Sequence, residues 1–260
     1  MQQNKPLISV SNLQVSVGDK QLLSHVSFDL CEGEMLCIVG ESGAGKSTLV
    51  KALQGMMPAH CDRFTYAPSS MEVCGTLPSG LGLDQARWVM QDPLAALNPR
   101  QTLGRSIAES LHKENLPKEQ LRKRVLSALD DVELSADFYD RLPSQVSLGQ
   151  AQRACLARAL IAQPKLIFFD EPLSALDALV QKKIAQRMDR LRRATNTTYI
   201  AVTHDLGFAA AYADKVLLLR EGTVSTHQSR SAFFANPQSD YAKDLVAAAQ
   251  SLGALPEAAA

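Results

Sequence analysis

The sequence predicts an α/β fold with a mainly parallel sheet, an N-terminal antiparallel β subdomain and an inserted helical subdomain. Three observations predict it. Residues 7–30 alternate apolar and polar positions around Gly18 and Asp19, the period of half-buried strands joined by a turn. Short apolar runs recur at 35–39, 166–169, 199–202 and 216–219 with helical segments between the later ones, the pattern of parallel strands buried on both faces. Between the first two runs lies a charged stretch, 101–140, in which Leu121, Val125, Leu126 and Leu129 are spaced for one apolar helix face.

Composition bounds the function. With 260 residues, of which 46% are hydrophobic and 21% charged, the chain buries a sizeable core in one or two domains. No apolar run approaches the ~18 residues that span a bilayer, so a membrane role requires partner subunits. The 27 basic and 27 acidic residues balance, which removes the electrostatic argument for non-specific nucleic-acid binding. Cys31, Cys37, Cys61, Cys74 and Cys155 are odd in number and form no CxxC pair, against a disulfide framework or zinc cage and for reduced thiols in the cytoplasm. The first ten residues, MQQNKPLISV, lack a basic segment followed by an apolar stretch, so no secretory signal is expected.

In chain order, the antiparallel entry is followed by a buried strand at 35–39, a glycine-rich turn and a helix from Lys46. Residues 58–82, rich in Pro, Ser and Gly, are expected to be irregular. A helical subdomain is expected over about 98–160, ending in a helical run at 151–162, before the three later buried strands. The expected organisation is a single domain over 1–247 and a flexible C-terminal tail over 248–260, with nothing to pack beyond Leu252.

The segment Gly40, Glu41, Ser42, Gly43, Ala44, Gly45, Lys46, Ser47 fits G-x-x-x-x-G-K-[ST] and lies between a buried strand and a helix, with Thr48 following. Glycines let successive backbone N–H groups converge on phosphate oxygens, and the helix N-terminus adds its positive end. Lys46 is placed to reach the outer phosphates and Ser47 to offer a hydroxyl to Mg²⁺. The segment is expected to bind a nucleoside triphosphate.

The run 166–169 ends in Asp170 and Glu171, and ligands of open parallel sheets bind at the carboxyl ends of strands. Asp170 is therefore expected to hold Mg²⁺ through water, and Glu171 to orient or deprotonate an attacking water.

Val146, Ser147, Leu148, Gly149 and Gln150, followed by Ala151, Gln152 and Arg153, resemble the LSGGQ signature of ATP-binding-cassette (ABC) ATPases. Gln91 resembles that family's Q-loop glutamine, Ser174 to Asp177 its D-loop, and His204 its switch histidine, all in the family's order over nearly the whole chain. The resemblance implies a P-loop NTPase core, ATP with Mg²⁺ held by Ser47, Gln91 and Asp170, and a role for Glu171 and His204 in hydrolysis. It implies that Ser147, Leu148, Gly149 and Gln150 complete the ATP site of an opposing cassette, Asp177 belonging to the D-loop between them. Physically, a serine and free N–H groups at the start of a helix make a second phosphate site. The helical insert is, by the same resemblance, where a membrane subunit docks.

Two positions depart from the family pattern. Leu148 stands where glycine is usual, putting a side chain where backbone approaches phosphate. Val17 stands where an aromatic usually stacks on adenine, a contact worth about 1–3 kcal/mol in nucleic-acid complexes. Residues 91–100 and 233–241 resemble the QDPxxSLNPR segment and FxxPxHPY tail of the peptide, opine and nickel uptake branch, with Ser239 and Asp240 replacing His-Pro. That branch implies a peripheral subunit at the cytoplasmic face of the cell membrane, paired with a second ABC ATPase, a heterodimer rather than a homodimer, two integral permease subunits and, indirectly, an extracytoplasmic binding protein, with no nucleic acid. Phosphonate-system ATPases, soluble ABC ATPases of DNA repair or translation, and a degenerate subunit without turnover are the alternatives. Long coiled coils or duplicated cassettes would mark the soluble ones, and the chain has neither.

Overall fold

The computed structural model describes residues 6–77, 83 and 85–255. The chain divides into one compact unit made of residues 1–86 and 198–260 and a second made of residues 87–197.

The first unit begins with β1 (Pro6–Val17) and β2 (Lys20–Cys31), an antiparallel pair that places Val10 opposite Phe28 and Val15 opposite Leu23. Next come β3 (Met35–Val39), buried at all five positions, and α1 (Lys46–Leu53). β4 (Ala59–Tyr66) and β5 (Met71–Leu77) follow, and the antiparallel sheet runs β2-β1-β4-β5. These two strands correct the expectation of irregular structure over 58–82; residues 78–82 lie outside the described residues. The cause is a bulge. β4 buries Ala59, Cys61, Phe64 and Tyr66, and the register slips between Cys61 and Phe64, so one extra residue breaks the alternation that marks a strand.

The second unit contains β6 (Ala86–Val89) from its boundary onward, α2 (Pro93–Ala96), α3 (Leu103–Ala108), α4 (Lys118–Asp131), α5 (Leu148–Leu160), β7 (Leu166–Asp170) and α6 (Ala178–Thr195). α3 packs against both α4 and α5, burying Leu103, Ile107, Val125, Leu129 and Leu156. α4 buries Val125, Ala128 and Leu129, while Leu121 and Leu126 are only half-buried. β7 is buried at every position and lies beside β6.

The chain returns to the first unit through β8 (Thr198–Val202), α7 (Leu206–Tyr212), β9 (Lys215–Arg220), β10 (Thr223–Ser229), α8 (Arg230–Ala235) and α9 (Asp240–Ser251). Within this unit the strand order is β10-β9-β3-β8, with β8 and β9 parallel to β3 and β10 antiparallel to β9. Against the expected tail over 248–260, α9 continues to Ser251, Ala254 N donates to Ala249 O at 2.9 Å, and Leu255 is buried. Apolar periodicity carries the helix to Ala249; residues 256–260 lie outside the described residues. Among the described residues no helix is long and apolar enough to cross a membrane.

Candidate functional site

In the first unit the parallel strands bring their carboxyl ends to one edge. Val202 lies beside Ile38 and Leu218 beside Val39, and Thr203 N donates to Ile38 O at 3.1 Å. The glycine loop that leaves β3 and exposed His204, which leaves β8, therefore start from neighbouring strand ends. Gly40, at φ +145°, passes so close to β9 that a Cβ there would stand 2.2 Å from Leu219 O. Gly45, at φ +101°, presses on β2, where a Cβ would meet Leu23 Cδ2 at 2.6 Å. Only glycine combines these φ values with that closeness.

No side chain caps α1 and its first turn holds no acid, so the positive end of the helix faces the loop without a carboxylate of its own first turn to offset it. The Lys46 ammonium folds over the loop, donating to Gly40 O at 2.7 Å and Glu41 O at 2.8 Å. Ser42 and Gly43 form the outer turn of this loop, Ala44 is buried, and Ser47 and Thr48 lie in the first turn of α1. Val17 is 56% exposed and ends β1 opposite Lys20, three residues from the Leu23 that touches Gly45.

Tyr241 also reaches this loop. Burial and the neighbouring Glu41 carboxylate raise its phenol pKa, and the Arg220 guanidinium lies 4.8 Å from its ring centroid. In sequence, 233–241 marks only the uptake branch; an aromatic and an arginine so far from the loop carry no periodic signal that joins them to it.

In the second unit β7 delivers Asp170, 6% exposed, and then Glu171. Glu171 has φ +48°, an uncommon left-handed backbone for a non-glycine residue. Gln91, two residues past β6, donates from Nε2 to Glu171 Oε2 at 3.3 Å. The Glu171 carbonyl accepts from Ser174 Oγ at 3.1 Å and from Gln152 Nε2 at 3.1 Å. Gln152, which makes this contact, is not among the residues the sequence singles out. Its signal is a polar side chain in helical step with buried Cys155 and Ala159.

Ser147 caps α5 in a reciprocal box: its hydroxyl accepts from Gln150 N at 3.3 Å and Gln150 Oε1 accepts from Ser147 N at 2.9 Å. Leu148, the first helical residue, is 50% exposed. Gly149 backs onto the turn before α6, where a Cβ would meet Ala175 O at 3.0 Å and Leu176 Cδ2 at 3.1 Å. Arg153 holds the same helix to the end of α4, donating from Nη1 to Glu133 O; its burial lowers the guanidinium pKa. Asp177 caps α6, its Oδ1 accepting from Val180 N at 3.1 Å.

The first unit thus gathers the phosphate loop and His204, and the second gathers Gln91, Asp170, Glu171, the α5 cap and Asp177. The donor set expected for the metal, a Ser47 hydroxyl, a Gln91 amide oxygen and an Asp170 carboxylate, is of the hard oxygen kind that Mg²⁺ takes.

Comparison with known proteins agrees with these features. A family model described as "ABC transporter" matches residues 23–174. The dipeptide transport ATP-binding protein DppD of Bacillus subtilis is 36% identical over 92% of this chain and 76% of its own length. The oligopeptide transport ATP-binding protein OppF of Salmonella typhimurium is 32% identical over 95% of this chain and 79% of its own. Among solved structures, the dimeric ATP-binding cassette MJ0796 in a post-hydrolysis state bound to ADP and Pi superposes with a TM-score of 0.71 at 26% identity, covering 86% of this chain and 98% of that one.

Proposed function

The chain belongs to the ABC transporter family, and we propose on that premise that it is the ATP-binding and ATP-hydrolysing subunit of a peptide importer. The observation that carries this reading is the phosphate loop. Gly40 and Gly45 are pressed against β9 and β2, Lys46 lies over the loop, and α1 starts uncapped behind it. Relatives named for dipeptide and oligopeptide transport favour peptides over nickel, opine or phosphonate cargo and over repair or translation.

In this reading the loop 40–47 and Thr48 hold the triphosphate of ATP, with Lys46 neutralising its outer phosphates. Ser47, Gln91 and Asp170 hold Mg²⁺, which neutralises charge on the phosphates when bound. Glu171 orients and deprotonates the attacking water, and Gln91 restrains its carboxylate. His204 hydrogen-bonds the γ-phosphate. Ser147, Leu148, Gly149 and Gln150 engage ATP held by a second cassette, with Asp177 in the adjoining loop. Exposed Leu148 makes that second engagement weaker than glycine would, which favours a heterodimer with unequal ATP sites. Two integral permease subunits place the pair at the cytoplasmic face of the membrane, and an extracytoplasmic binding protein selects the cargo.

The test is capture of partners from native cells with a Glu171→Gln bait, detergent and ATP, removal of the base trapping the closed state. Two integral membrane chains and a second cassette are the expected catch. Ribosomal or repair components without membrane chains would overturn the proposal.

A further inference from the structure

Gln152 is wholly buried on the inner face of α5, and both ends of its amide are used. Nε2 donates to Glu171 O at 3.1 Å and Oε1 accepts from Ala175 N at 3.2 Å. The amide therefore clamps the turn between β7 and α6 at two points of its backbone. One is the carbonyl of the residue with left-handed φ, which also accepts from Ser174 Oγ.

The same turn meets α5 a second time. Gly149, one helical turn before Gln152, lies against Ala175 O and Leu176, where a Cβ would stand at 3.0 and 3.1 Å, tighter than ordinary contact. The helix whose first turn is Ser147–Gln150 is thus joined to the Glu171 backbone by close packing at one turn and hydrogen bonds at the next. All of these residues lie in the second unit.

A buried methionine would fill the same volume without polar atoms to satisfy. Glutamine matches the turn in direction, a donor toward C=O and an acceptor toward N–H. Glutamate keeps the acceptor and loses the donor.

We propose that Gln152 is a positioning residue that couples the α5 cap to Glu171, so that contact of Ser147–Gln150 with a partner cassette's triphosphate sets the geometry of this chain's own base. The proposal rests on the roles given above to Glu171 and to the α5 cap. Displacement of α5 pulls on the Glu171 carbonyl through Nε2 and on Ala175 through Oε1, so the two ATP sites sense each other through this side chain.

The experiment compares wild type, Gln152→Met and Gln152→Glu as full chains in the complex recovered with its membrane and cassette partners. ATP affinity, kcat, KM, the Hill coefficient and thermal unfolding are measured. For Gln152→Met the expected result is ATP affinity within about twofold of wild type, kcat lower by about tenfold or more, and a Hill coefficient reduced toward one. Gln152→Glu, which keeps the Ala175 contact, shows the same loss, since the donor to Glu171 is gone. Wild-type kcat and Hill coefficient in Gln152→Met would overturn the proposal. So would a lowered kcat with unchanged cooperativity, which would reduce Gln152 to local support of the base. If Gln152→Met fails to fold, Gln152→Glu decides by the same two readouts. A wild-type complex that neither binds nor hydrolyses ATP would instead sink the functional reading beneath.

Discussion

Gln91 donates from Nε2 to Oε2 of Glu171 at 3.3 Å, across eighty positions of sequence. The loop after β6 thereby holds one oxygen of the carboxylate that follows β7. Glu171→Gln should lower kcat by about a hundredfold to ten-thousandfold while ATP still binds, the range over which a positioned base acts. Gln91→Ala should cost less, about tenfold, since it frees the carboxylate without removing it. Phosphate release beside an ATP titration checks both. Equal loss of binding and turnover in Glu171→Gln would contradict its place as base.

The Lys46 ammonium, held over the loop by the Gly40 and Glu41 carbonyls, should carry most of the charge recognition of ATP. Lys46→Ala should weaken ATP binding by about ten- to a hundredfold, the loss of a charged hydrogen bond worth roughly 1.5–3 kcal/mol. Gly40→Ala should also lose binding, because its Cβ would stand 2.2 Å from the backbone oxygen of Leu219, which cannot give way as a side-chain end can. Isothermal titration with ATP measures each. An unimpaired Gly40→Ala would mean that the loop moves off β9.

Leu148 is exposed at the start of α5, beside the capping box that readies Ser147 and Gln150. Replacing it with glycine should prolong ATP-dependent pairing of cassettes in a Glu171→Gln background, by letting backbone approach phosphate. The cost in helix stability is at most about 1 kcal/mol. Light scattering with and without ATP reads the lifetime. A shorter-lived pair would show that Leu148 makes an apolar contact of its own.

Val17 ends β1 next to the strand that touches Gly45. Val17→Tyr should tighten ATP binding by about five- to a hundredfold, the range of a base–aromatic stack of about 1–3 kcal/mol. Unchanged affinity in a titration would place the adenine elsewhere.

His227 on β10 packs edge-on to Phe28 at 6.4 Å. Burial first, then Lys215, lower its pKa from the ordinary 6.5, with Asp29 and Glu34 opposing. The folded state therefore takes up its proton at lower pH than the unfolded chain, which binds one from about 6.5 downward. Stability contributed by the neutral ring is present above that value and is lost as pH falls through it toward the lowered folded pKa. His227→Gln should flatten the fall in melting temperature below pH 6.5. An unchanged pH slope would assign the effect to other groups.

The two Gly-rich and acidic segments were legible because their chemistry is contiguous. A phosphate loop needs its glycines, lysine and serine on one short stretch between a strand and a helix, and 35–53 supplies strand, loop and helix in order. The first hairpin was legible because period-two alternation survives over most of its length. β4 was not, since the bulge between Cys61 and Phe64 breaks that alternation, and β5, half-exposed at the sheet edge, leaves only a weak apolar face.

The family, the phosphate loop, the acidic pair and the cap at Ser147 are all readable from residue order, each a local pattern whose residues act on their immediate neighbours. The packed fold alone brings the Gln152 amide onto Glu171 and Ala175, and Gln91 onto Glu171. Those pairings are made by burial and by strand and helix packing between distant segments, where a hydrogen bond depends on both partners' placement and neither residue type alone announces it.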